Sequence, residues 1–211
     1  MEQVIKGRLK QQVRGEAERR AGGGCRWRRA LAAALACCLS AAPLFARGSR
    51  PSEYEVKAVY LLNFGKFLSW PRNAADASAT AFPICILGQD PFGRSLDATL
   101  AGESINGKSV LARRLERPQE ALACKILFIG RSEEPRLGAI LDVLGNAPVL
   151  TVSDIPDFTL RGGMIQFMLE QDRVRFSINL AAAESSGLTV SSQLLKVATS
   201  VQRNSRVRDK Q

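Results

Sequence analysis

From residue 52 onward, apolar and polar positions alternate between a helical and an extended period. Ser52 to Ser69 has helical spacing, opened by the capping box Ser52 to Glu55 and stopped by Trp70-Pro71, where the proline disfavours helical backbone in the residue before it. Short apolar runs follow at Phe82 to Leu87, Ser109 to Leu115, Lys125 to Ile129 and Pro148 to Val152, each bounded by Gly, Pro or charged residues as strands are. Helical candidates lie between them at Pro91 to Ala101 and Glu133 to Leu144. Strands alternating with helices predict a mainly parallel sheet covered on both faces.

The last third reads differently. Met164 to Leu169 and Val174 to Leu180, joined by the polar Glu170-Gln171-Asp172-Arg173, predict a β-hairpin in which Phe176 and Ile178 alternate with Arg175, Ser177 and Asn179. A closing helix is expected after Gly187, capped by Ser191 or Ser192 and carrying Leu194, Leu195, Ala198 and Val201. The expected fold class is therefore α/β. It is a single domain over residues 47–202, with a mixed, mainly parallel sheet in Rossmann-like layering, helices on both faces and the C-terminal hairpin as an antiparallel edge.

Residues 1–46 have the order of an export signal: Arg26, Arg28 and Arg29 around Trp27, an apolar run from Ala30 to Leu39, then small residues at Ala41, Ala42 and Ala46. Ser40 and Pro43 interrupt the run, which falls short of the roughly 20 apolar residues of a spanning helix. Cleavage is expected after Ala46, with a cut near Ala42 as the alternative because Leu44 is large for its place. Lipidation at Cys37 is disfavoured by the poor Ala34-Leu35-Ala36 sequence before it. The leader carries 9 of the 30 Lys+Arg and 3 of the 20 Asp+Glu, so the remaining chain has a net charge of +4 rather than +10. Most of that lies in a basic C-terminal tail, residues 203–211, with Arg203, Arg206, Arg208 and Lys210. No basic, aromatic-interleaved stripe crosses the body, and no nucleic-acid partner is expected.

The chain has no histidine. That removes the Ser-His and Cys-His nucleophile pairs and imidazole metal ligation, so no catalytic residue, cofactor or metal is expected. Cys85 and Cys124 are the two cysteines beyond the leader, each in an apolar run. They are either two buried thiols or, as is commoner for neighbouring strands in an oxidising compartment, a disulfide. Gly88 to Gly93 superficially resembles a phosphate loop, but it places Asp90 and Pro91 where they suit a helix cap and first turn. Gly162-Gly163 suits a tight strand entry. Asp154 and Asp157, around Pro156, suit a turn better than a catalytic carboxylate pair. Glu133-Glu134-Pro135 reads as a helix start. Tyr60, Phe64, Phe67 and Trp70 fall at helical spacing, to be read either as core or as an exposed partner-binding patch.

The string Glu53-Tyr54-Glu55-Val56-Lys57-Ala58-Val59-Tyr60-Leu61-Leu62-Asn63-Phe64, with Phe67 and Trp70-Pro71, resembles the opening helix of the YfiR family of HmsC-like periplasmic regulators. Ile84-Cys85-Ile86-Leu87-Gly88 with Asp90-Pro91-Phe92-Gly93, Cys124 to Ile129, and Leu150 to Asp154 are similar to that family in the same order. So are Phe158 with Gly162 to Ile165, then Arg175 to Asn179, and last Ser191 to Leu195. Lys125 departs from it, standing where a histidine is expected. The resemblance implies a periplasmic repressor that contacts the periplasmic portion of an inner-membrane diguanylate cyclase, holds it inactive, and so controls cyclic-di-GMP and biofilm formation. Homodimerisation stays open. The competing readings are a periplasmic small-molecule sensor or solute-binding module using the cleft at the carboxyl ends of the strands, and a hydrolase, for which no convergent titratable groups are evident.

Overall fold

The computed structural model describes residues 51–71 and 79–203. The expected signal peptide, with Cys37, Ala42 and Ala46, and the basic tail beyond Arg203 lie outside the described residues. Helix α1 spans Glu53–Phe67, and its capping box is formed: the Ser52 side chain accepts from the Glu55 N–H while the Glu55 carboxylate accepts from the Ser52 N–H. It stops two residues early because Leu68–Ser69, strand β1, pairs antiparallel with a later strand.

Next come β2 (Ala81–Leu87), α2 (Arg94–Leu100), β3 (Ser104–Ile105) and β4 (Lys108–Leu115). A 3-10 turn at Pro118–Ala123 leads into β5 (Ile126–Ile129). A second 3-10 turn, Arg131–Arg136, precedes α3 (Leu137–Leu144) and β6 (Leu150–Ser153). The hairpin is β7 (Ile165–Glu170) and β8 (Arg173–Asn179), followed by α4 (Leu180–Ser185), β9 (Thr189–Val190), α5 (Ser192–Val197) and β10 (Ser200–Gln202).

The main sheet runs β10-β8-β7-β6-β5-β2-β4-β3. Its centre, β4, β2, β5, β6 and β7, is parallel; β3 pairs antiparallel with β4, and β8 antiparallel with β7. The core divides by strand alternation. Phe82, Ile84 and Ile86 of β2 and Ile126 and Phe128 of β5 join α1, α2 and the hairpin in one cluster, whereas Cys85, Leu87, Leu127 and Ile129 join Leu137, Ile140 and Leu144 of α3 in the other. Helices therefore cover both faces, and the central strands read as continuous apolar runs because neither face meets water.

Four local expectations are corrected. The hairpin is not the sheet edge, since β10 pairs parallel outside β8 and occupies backbone groups that β8 would otherwise leave open. The closing helix is shorter than expected: Ser191 caps it, but Ala198 is extended (φ −69°, ψ 141°) and Val201 lies in β10. The helix expected from Glu133 begins at Leu137, after a 3-10 turn containing Pro135, and Glu133 and Glu134 pair with Arg136 and Arg161. Asp90 caps a turn rather than a helix, its Oδ1 accepting from the N–H groups of Phe92 (2.8 Å) and Gly93 (3.3 Å) before α2 opens at Arg94.

Candidate functional site

After β2 the chain crosses to β4 on one side; after β5 it crosses to β6 on the other. The loops beyond the carboxyl ends of these adjacent parallel strands thus diverge, and such a switch point is where open α/β sheets leave a crevice for ligands. A cleft of about 270 Å³ lies here, lined by Tyr54, Gln89, Asp90, Pro91, Arg131, Ser132 and Asp154. Its floor is tightly built. Gly130 donates to the Leu87 carbonyl at 2.9 Å, Gln89 N–H donates to Ser132 Oγ at 2.9 Å, and a Cβ at Gly130 would stand 2.8 Å from the Gln89 carbonyl oxygen. Only glycine permits that approach.

Asp154 follows β6 and is buried, its side chain 4% exposed. Lys57, carried into the core by α1, donates to Asp154 Oδ2 at 2.6 Å and pairs with Glu53 at 2.5 Å. The Tyr54 hydroxyl donates to the same Oδ2 at 2.8 Å, and the Tyr54 ring lies 4.3 Å from the Lys57 ammonium. Oδ1 is buried without a hydrogen bond; Arg131 Nε approaches to 3.5 Å. Burial opposes ionisation of Asp154, yet the hydrogen bond and charge of Lys57, helped by Tyr54 and Arg131, hold its carboxyl below the usual range. Burial, with the adjacent Asp154 carboxylate, pushes the Tyr54 phenol up. Asp90 is held by Arg114, which also takes Asp97 through two 2.7 Å hydrogen bonds.

Asp154 and Asp157 do not form a pair: Asp157 is exposed in the turn at φ 57°, and Ser153 Oγ accepts from the Ile155 N–H. Gly162 enters β7 at φ 104°, and a Cβ at Gly163 would strike the Phe158 ring. Among the described residues no group of His, Cys, Asp and Glu is placed to hold a metal. Cys85 and Cys124 are bonded and almost fully buried, joining β2 to the end of the 3-10 turn that precedes β5.

The aromatic set separates in space. Phe64 is completely buried against Phe167 and Phe176, so it is core and not an exposed patch. Tyr60, half-buried, packs on Phe64, Phe167 and Phe176; Trp70, half-buried, meets Phe82 edge to face. Phe67 is exposed. Lys57 and Arg131, which organise Asp154, were not legible as site residues. The available signal was a lysine in the same helical stripe as Leu61 and Phe64.

The fold and site define a disulfide-bonded α/β domain with a polar switch-point cleft. Residues 54–199 match the YfiR/HmsC-like family, and the chain belongs to it. Among solved structures it is similar to a conserved domain protein from Vibrio cholerae O1 biovar El Tor, at 13% identity and a TM-score of 0.48, covering 72% of this chain and 60% of that one. It is also similar to an ABC domain from Streptococcus pneumonia in complex with L-Trp, at 11% identity and a TM-score of 0.47, covering 68% and 60%. The chain thus spans about 60% of the length of each. The YfiR/HmsC-like family is one of periplasmic regulators. The disulfide is consistent with that compartment, and no helix among the described residues is long and apolar enough to cross a membrane.

Proposed function

We propose that this protein is exported to the periplasm, binds the periplasmic portion of an inner-membrane diguanylate cyclase, and represses it without catalytic turnover of its own. The family match across residues 54–199 carries the reading. Two observations support it: the protein has no histidine, and the titratable groups of its cleft are tied to one another in ion pairs. For the contact surface we favour the end of α1, where Phe67 is exposed and Trp70, three residues further along the chain, is half-buried. An exposed aromatic group supplies contact area at small entropic cost.

The test is cyclic-di-GMP measured in a deletion strain, with and without the candidate cyclase. Deletion should raise the nucleotide only where the cyclase is present. Unchanged levels, with both proteins expressed, would overturn the proposal.

A further inference from the structure

We propose that the switch-point cleft is a binding site for a small organic cation bearing a primary ammonium group, which donates to Asp154 Oδ1. This does not depend on which partner the protein regulates. Asp154 lines the cleft and is more than nine-tenths buried, yet only Oδ2 is hydrogen-bonded; Oδ1 has the Arg131 guanidinium at 3.5 Å and no hydrogen bond. A buried carboxylate oxygen lacking a donor is costly, and an N–H from a ligand satisfies it.

Charge selects the ligand class. The charged groups lining the cleft are two carboxylates, Asp90 and Asp154, and one cation, Arg131; Lys57 and Arg114, which pair with those carboxylates, are themselves also paired with Glu53 and Asp97. The cluster is one positive charge short, so a cation completes it and an anion meets Asp90 at the mouth. Arg131 is the replaceable member, its side chain 65% exposed, whereas Lys57 is sealed behind the site. Size narrows the class further. At about 270 Å³ the cleft falls below the roughly 300–1,000 Å³ of sites that take drug-sized ligands, suiting a short amine rather than a peptide. The Tyr54 ring, packed edge to face on Phe92 at 5.5 Å, offers an apolar wall to its carbon chain.

The experiment titrates the intact mature protein with n-butylamine, 1-butanol and butyrate, using amide NMR shifts at Gln89 and Ser132 to locate binding and calorimetry to measure it. The amine should bind saturably and shift those amides, and the alcohol and acid should not. Arg131→Ala removes the competing cation and should tighten amine binding about two- to fivefold, while Asp90→Asn should weaken it similarly. Asp90→Asn keeps an oxygen for the Phe92 and Gly93 N–H groups, so the turn is retained. Equal binding of all three probes, preference for butyrate, shifts confined to other residues, or affinity unmoved by both variants would each overturn the assignment.

Discussion

At Lys57, α1 carries a full positive charge into a stripe otherwise occupied by residues such as Leu61 and Phe64. Removing Asp154 leaves that charge only its partly exposed partner Glu53. Asp154→Asn should therefore destabilise the fold by up to about 3 kcal/mol, the low end of the cost of a fully uncompensated buried charge, read from urea unfolding. The acid limb of stability follows from the same pair. The folded Asp154 carboxyl lies below its ordinary value, so the unfolded chain binds this proton more tightly. The stabilisation is complete above the unfolded carboxylate value of about 3.9 and is lost as pH falls through the lower folded value. Stability curves measured from pH 7 down to 2 should show a steeper acid limb for the wild type than for Asp154→Asn. Phe64 and Phe67 make a second contrast. Phe64→Ala opens a core cavity and should cost about 3–5 kcal/mol, whereas Phe67→Ala should change stability by about 1 kcal/mol or less while lowering repression in cells. Loss of repression with Phe64→Ala alone, at equal protein levels, would remove Phe67 from the contact surface.

The β7–β8 hairpin shows what can and cannot be read at the level of an element. Its alternation and polar tip are plain in the sequence; its turn is not. Gln171 and Asp172 both adopt positive φ, 49° and 58°, the two-residue geometry that favours Asn-Gly. The double substitution Gln171→Asn with Asp172→Gly should stabilise the domain by roughly 0.5–1 kcal/mol in thermal melts, by relieving left-handed strain at two side chains. The C-terminal segment misled for the opposite reason. Leu194, Leu195, Ala198 and Val201 fit a helical period, but β8 had an open edge, and residues after Val197 bond to it: Thr199 N–H donates to the Phe176 carbonyl at 2.9 Å. Helical spacing over a few residues yields to a sheet edge that requires partners.

Across the whole molecule, Cys85–Cys124 bridges a sequence separation of 39 and closes a loop containing α2, β3 and β4, so its loss frees a long stretch of unfolded chain. Cys85→Ser should cost about 4 kcal/mol in chemical denaturation, on the chain-entropy model. If repression requires the native fold, the same variant should raise cyclic-di-GMP in the manner of a deletion, and only with the cyclase present. The sequence by itself determined the layered α/β class, the α1 capping box, the buried central strands and the removal of histidine chemistry, because these rest on periodicity, local hydrogen bonds and composition. Tertiary structure alone decided that β10 forms the edge, that Phe64 is buried while Phe67 is not, and that Tyr54, Lys57, Arg131 and Asp154 meet at one point. Lys57 and Asp154 are 97 residues apart in the chain, and their separation was closed by strand order and crossover direction, which no local pattern of polar and apolar residues encodes.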